Sequence, residues 1–267
     1  INYSKIFDKL FPINRSLLGD EYRKSLGILK NFIKIRELKY KSGKKIFDWI
    51  IPNEWKIKEG YIKYKNKIII YYKNCNLHVA SYSDKINKKL PLEKLQNNLY
   101  SLPKYPRFVP YVTSYYEKNW GFCMSHKQRK SLKRGSYHCY INSEFKKGYL
   151  VNGFAELKGK SKKINLITTY LCHPSLANDN LSGPLVMIGL YNKIKNYKKK
   201  NFLYQFLINP ETIGSLCFLH SHGKKIKKHL NAGLVLTGLG GPKKKLSYKF
   251  SKNGNSISDE IFKYLNE

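Results

Sequence analysis

Acidic residues are scarce in this sequence. Only 17 Asp and Glu stand against 51 Lys and Arg in 267 residues, for a formal charge of +34. Arginine is scarce as well, and no apolar run approaches the roughly 20 residues that a membrane-spanning helix needs. Residues 1–20 lack the charged-then-apolar order of a secretory leader, and the chain does not begin with Met. The lack of a spanning run and of a leader pattern leads to the expectation of a cytoplasmic protein without a membrane span. The five cysteines, Cys75, Cys123, Cys139, Cys172 and Cys217, are odd in number, widely spread and form no C-x-x-C pair. That argues against a disulfide framework or a zinc knuckle, and for reduced, mostly buried thiols.

Lysine is abundant, and a basic chain gains affinity for nucleic acid by releasing counterions. The excess is scattered along the whole chain, however, and comes with heavy use of Asn, Ile, Tyr and Phe. All five residue types have A/T-rich codons, so base composition accounts for the bias without a ligand. Arg, which reads bases and forks around phosphate, is the cation in short supply. The expectation is no specific nucleic-acid partner, only weak attraction to polyanions. An apolar share of 42% supports a real core. The length suits one large domain, or two with one of them small.

Along the chain, Asp20 is a plausible cap for a helix carrying Tyr22, Leu26, Leu29, Phe32 and Ile33 at helical spacing. Residues 39–128 then alternate short apolar runs with turn signals at Ser42-Gly43, Pro52-Asn53, Lys73-Asn74 and Pro106. They predict a β-rich module whose core takes in Trp49, Trp55, Trp120 and the aromatic string Tyr111–Tyr116, with a short helix over 92–99. Beyond Gly135, residues 136–141 and 150–157 predict a hairpin. Strands over 163–170, 201–208 and 232–239 then alternate with helices over 185–197 and 213–222. That order is the mark of an α/β sheet with crossover connections. The runs Lys198–Lys200 and Lys243–Lys245 read as solvated loops.

Ligands in such sheets gather at the loops leaving the C-terminal strand ends. The loop after Tyr170 sets His173 and Asp179 in a frame rich in Pro, Gly and Asn, where Asn178 and Asn180 can hold the carboxylate. The loop after Ile208 supplies Glu211. Imidazole nitrogen and carboxylate oxygen are donors that satisfy zinc, and a further carboxylate can ligate or take a proton from water. Plainer readings of the same residues exist. Asp179 also suits a helix cap or turn, His173 a buried loop histidine, and Glu211 a first-turn carboxylate at a helix dipole. His220 and His222, two apart on a helix, point to different faces and are not expected to ligate. Ser182 has no G-x-S-x-G elbow around it.

The string Tyr170-Leu-Cys-His-Pro-Ser-Leu-Ala-Asn-Asp-Asn-Leu-Ser-Gly-Pro184, with Pro210-Glu-Thr-Ile-Gly-Ser215, resembles the signatures of a bacterial aminopeptidase-like family of unknown function often associated with surface-polysaccharide biosynthesis. The likeness extends to residues 10–16, 47–55, 76–79, 110–116 and 120–123. It implies a mixed-sheet, zinc-aminopeptidase-like α/β/α domain (residues 1–38 and 129–267) interrupted by an inserted β-rich domain (residues 39–128). His173 and Asp179 match a zinc-binding His and a bridging Asp, so the resemblance implies one or two zinc ions and a peptide or amide substrate. Where the wider group carries a Glu-Glu pair, this chain has Glu211 followed by Thr212. Where an acidic residue often follows the next strand, it has Gly238-Leu-Gly-Gly-Pro242. The resemblance also implies a truncated member, without the stretch that holds a further His ligand, and hence weak zinc binding. It leaves two functions to weigh: a hydrolase of peptide or amide bonds with Glu211 as catalytic base or ligand, and a non-catalytic scaffold or binding protein in a surface-polysaccharide pathway.

Overall fold

In the computed structural model, which describes residues 1–242 and 246–265, the apolar Ile164–Tyr170 strand lies inside a five-stranded sheet. The strand order is Arg36–Lys41, Tyr149–Leu157, Leu203–Asn209, Ile164–Tyr170, Leu230–Val235. The first two pairings are antiparallel and the last two parallel, so the sheet is mixed, as expected for the α/β class. Parallel neighbours need a crossover. The helices Ser182–Lys195 and Ile213–His229 provide it, the first packing on Ile164–Tyr170 and the second on Tyr149–Leu157. Phe154, Ile164, Leu207, Phe218 and Ile226 form a core cluster between sheet and helix.

Several elements differ in extent from the sequence reading. The helix expected to stop at His222 runs to His229, because Ile226 continues its buried face and Lys227, Lys228 and His229 suit the C-terminal end of the dipole. Asp20 is the first helical residue, and Gly19, at φ 118°, is the cap. A helix over Tyr3–Leu10, capped by Asn2 Oδ1 accepting from the Lys5 N–H at 3.0 Å, had no sequence expectation. Nor had the helix Ile257–Tyr264. The Lys243–Lys245 run lies outside the described residues.

The chain divides into two units, Ile1–Ile51 with Tyr149–Glu267, and Pro52–Gly148. The boundaries expected at residues 38–39 and 128–129 therefore move, and strand pairing gives the reason. Arg36–Lys41 is a sheet strand of the α/β unit, whereas Ser136–Lys146 pairs along its length with Glu54–Tyr64 in the inserted unit. Residues 136–141 and 150–157 consequently belong to different sheets and form no hairpin. The inserted unit is an antiparallel sheet ordered Lys67–Tyr71, Glu54–Tyr64, Ser136–Lys146, Ile86–Pro91, over a core that includes Ile62, Leu95, Phe122, Tyr137 and Ile141. Trp55 is buried and Trp120 packs on this core. Trp49, by contrast, falls in the other unit, and Tyr116 is exposed. All five cysteines are free, four of them buried.

Candidate metal and catalytic site

Parallel register brings the two candidate loops together. Tyr170 pairs with Asn209, so the strands Ile164–Tyr170 and Leu203–Asn209 end side by side and their following loops start as neighbours. The Leu171 N–H donates to the Asn209 carbonyl at 3.1 Å, which continues the alignment into the first loop. Gly183 then lets the next helix approach the sheet, since a Cβ there would run into Thr169 Oγ1 and the Leu236 carbonyl. Beyond the second strand, Asn209 Nδ2 donates to the Pro210 carbonyl at 2.7 Å and to Ser215 Oγ at 3.0 Å, and so shapes the turn that presents Glu211.

His173 is buried and Glu211 is half exposed, with Nε2 of the one 3.5 Å from Oε2 of the other. The opposite edge of the imidazole faces protein: Nδ1 lies 3.3 Å from Cys172 Sγ and 3.5 Å from Asn180 Nδ2. Cys172 Sγ also accepts the Glu211 N–H at 3.3 Å, so one thiol links both loops. Burial pushes that thiol up to about 12, which keeps it protonated. Burial likewise lowers the His173 pKa, with Asp179 and Glu211 opposing it and Arg15 reinforcing it. The ring is therefore held toward its neutral, metal-ligating form.

Asp179 stands on the same loop but is held from another direction. Its Oδ1 accepts from the Tyr170 hydroxyl at 2.7 Å, and that hydroxyl also lies 2.6 Å from Thr237 Oγ1. The Tyr170 ring sits 5.3 Å from the His173 ring, centroid to centroid. Burial, with Asp179 beside it, pushes the phenol pKa well up. The expected support from the flanking asparagines is corrected here. Asn178 Oδ1 accepts the Gly240 N–H at 2.7 Å and Asn180 faces His173, while Tyr170 holds the carboxylate. Asp179 caps no helix either, because the following helix has Leu181 as its cap.

Among the described residues, the set whose donor atoms lie within 4.8 Å of one another is Cys172, His173 and Glu211. Sequence reasoning placed His173 and Glu211 together, and the structure does so; Asp179 belongs to the same loop but not to that tight set. Cys172, Tyr170, Thr237 and Arg15 were missed. Arg15, fully buried, donates through Nε (3.0 Å) and Nη2 (2.7 Å) to the His173 carbonyl.

The donor chemistry fits zinc, which takes imidazole nitrogen and carboxylate oxygen. Two donors about 2 Å from one tetrahedral ion lie roughly 3.3 Å apart, close to the 3.5 Å seen here. Asn180 supports the same fit. Its Oδ1 is buried without a hydrogen-bond partner, whereas Nδ2 faces His173 Nδ1. Turned over, the amide would offer its oxygen to an Nδ1–H and leave the Nε2 lone pair for a metal.

A Clostridium acetobutylicum protein named "Putative polysaccharide biosynthesis protein with aminopeptidase-like domain" is 38% identical over 257 residues, 96% of this chain and 58% of its own length. The crystal structure of a "putative peptidase" from the same species superimposes with a TM-score of 0.92 at 36% identity, covering 98% of this chain and 61% of that one. A zinc aminopeptidase from Bacillus subtilis shares the fold at 15% identity, with a TM-score of 0.69 over 99% of this chain and 76% of its own. A Shewanella amazonensis peptidase M28 precursor does so at 13% identity and a TM-score of 0.65, over 99% of this chain and 76% of its own. The chain thus has a peptidase-like α/β fold with a mixed sheet and spans somewhat over half the length of its curated relative. Its residues 4–267 match a family described as "Domain of unknown function (DUF4910)", and the chain belongs to that family.

Proposed function

We propose that this chain contributes to a zinc-dependent hydrolase of peptide or amide bonds. The observation that carries the reading is the approach of His173 Nε2 to Glu211 Oε2 across two adjacent parallel strand ends. His173 and Glu211, whose donor atoms lie 3.5 Å apart, with Asp179 from the same loop as His173, are the residues that would hold the ion. When bound, zinc would supply polarisation of the scissile carbonyl and activation of water.

The chain's own residues do the rest. Cys172 and Asn180 fix the imidazole edge, Arg15 fixes the His173 backbone, and Tyr170 orients Asp179. Glu211 is placed for one of two duties. As a base, it accepts a proton from the attacking water and returns it to the leaving amine. As a ligand, it leaves that transfer to another group. The name of the Clostridium relative supports placing the whole protein in polysaccharide biosynthesis.

A second reading, a non-catalytic binding protein, is favoured by Thr212 and by the loop after Leu230–Val235, which turns a hydroxyl from Thr237 toward the site and follows it with Gly238.

Metal content by mass spectrometry, after incubation with zinc and desalting, tests the first reading. Wild type is expected to retain zinc, and His173→Ala and Asp179→Ala to lose it. Folded wild type holding no more zinc than either variant would sink the hydrolase reading. Glu211→Gln separates the two duties: zinc kept with amide hydrolysis lost assigns the base, and zinc lost assigns the ligand.

A further inference from the structure

The outer face of the sheet within Pro52–Gly148 carries polar groups that nothing in the unit uses. Burial alternates along Ser136–Lys146: Tyr137, Cys139 and Ile141 are buried, and His138, Tyr140 and Asn142 face outward, partly exposed. Register sets Tyr140 opposite Tyr61 on one side and Asn87 on the other. The two tyrosine rings stack at 5.0 Å, with Lys63 Nζ 4.6 Å from the centre of the Tyr61 ring. His138 Nε2 meets Asn87 Oδ1 at 2.7 Å, which fixes that amide and leaves its Nδ2 to donate elsewhere.

Among the described residues, the Tyr61 and Tyr140 hydroxyls, the Asn142 amide and the Lys85 and Lys89 ammonium groups have no hydrogen-bond or ion-pair partner. Two carboxylates share this face, Glu59 paired with Lys73 at 3.2 Å (through Oε2, its Oε1 being buried without a hydrogen-bond partner) and Glu144 paired with Lys58 at 3.1 Å, which leaves Lys63, Lys85 and Lys89 as cations without an acidic partner. Beside Tyr140, a cleft of about 360 Å³ opens between Lys85, Asn87 and Asn142. That volume is within the range of small-molecule sites, roughly 300–1,000 Å³.

We propose that this face binds an acidic oligosaccharide. One sugar ring lies against Tyr140 in the cleft, and its hydroxyls bond the amides of Asn87 and Asn142. Carboxylate or phosphate substituents meet Lys63, Lys85 and Lys89. An aromatic wall with a few placed amides suits a ring that is apolar on its C–H face and polar at its edge. Single-stranded nucleic acid is the weaker match. It needs free aromatic faces in succession, whereas Tyr61 has Tyr140 on one side and Lys63 over the ring, and no arginine lies among these face residues. The inference is independent of whether the α/β unit hydrolyses anything.

The test is binding of the whole chain to a panel of uronate- and phosphate-bearing oligosaccharides, with neutral oligosaccharides and a charge-matched oligothymidylate alongside. Saturable binding to an acidic member is expected, stronger than to neutral ones. Tyr140→Ala should weaken it at least about tenfold and Lys85→Gln/Lys89→Gln by about threefold or more, while Lys198→Gln/Lys199→Gln changes it less than about twofold. Circular dichroism confirms folding, and Asn142→Ala decides in place of Tyr140→Ala should that variant unfold. Three results would overturn the proposal: no acidic oligosaccharide binding, neutral members binding equally well, or oligothymidylate binding as tightly with every lysine pair equally important.

Discussion

Arg15 and Tyr170 do the same kind of work on the two sides of the candidate site. Arg15 brings the His173 carbonyl, 158 positions away in sequence, to its guanidinium and also donates to the Leu10 carbonyl. A planar fork can bond two carbonyls at once, which a lysine ammonium does with less definition. Tyr170 spans a shorter gap, from a strand end to Asp179, and shares its hydroxyl with Thr237. Tyr170→Phe keeps the ring beside His173 and removes only the donor. Zinc affinity measured by competition with a chromophoric chelator should therefore fall by about tenfold or more, with the unfolding midpoint little changed. An unaltered affinity would show that Asp179 needs no such donor. His173 and Glu211 were legible in the sequence because their residue types, at two predicted strand ends, already suggest metal chemistry. Arg15, Tyr170 and Cys172 were not, because each acts through a partner that only the folded chain brings near, and a buried Cys or a strand-end Tyr reads as core. His220 lies at 83° to the Phe47 ring with centroids 5.4 Å apart, and His222 stacks on Phe218 at 4.7 Å.

Buried strands were the most legible elements, since runs such as Ile164–Tyr170 and Leu203–Asn209 are bounded by turn residues and too short for helices. The false hairpin arose because Lys147-Gly148 looks like a turn between two alternating strands, and local pattern cannot say which strand each will pair with. The helix Ile257–Tyr264 was missed although Ser256 and Asp259 form a capping box. Burial disfavours the charged form of Asp259, but hydrogen bonds from Ser251, Ser256 and Tyr248 outweigh it and hold the carboxyl well below the usual carboxylate range. One side chain thereby ties residues 248–256 to the helix. A depressed folded-state pKa contributes stability above the unfolded value, about 3.9, and that contribution is lost as pH falls below it. Near neutral pH, Asp259→Ala should lower hydrogen-exchange protection of the Ser251 and Ser256 amides. The wild-type advantage should shrink once pH falls below about 4. Equal protection in the two proteins would mean that the helix holds the segment by other means.

At the scale of the whole chain, strand pairing lets one unit interrupt the other without breaking either sheet. In the α/β unit, Lys41 pairs with Tyr149, and the Gly43 N–H donates to the Ile51 carbonyl at 2.8 Å, so that unit's own bonds keep its two chain ends near each other. In the inserted unit, Glu54 is opposite Lys146, and cross-strand neighbours lie about 5 Å apart at Cα, so its ends also close on themselves. The inserted unit has its own buried cluster, running from Ile62 through Phe122 to Ile141. Closing a short loop costs little entropy when the ends are already adjacent. Residues 52–148 expressed alone should therefore show one cooperative urea transition. Replacing them in the chain by a linker of a few Gly and Ser residues should leave the far-ultraviolet signature of the α/β unit intact. Both experiments belong at about 0.15 M salt, where screening limits repulsion among the many lysines. A broad, non-cooperative transition in the isolated segment would show that its core depends on the rest of the chain, and the two units would then have to be treated as one folding body.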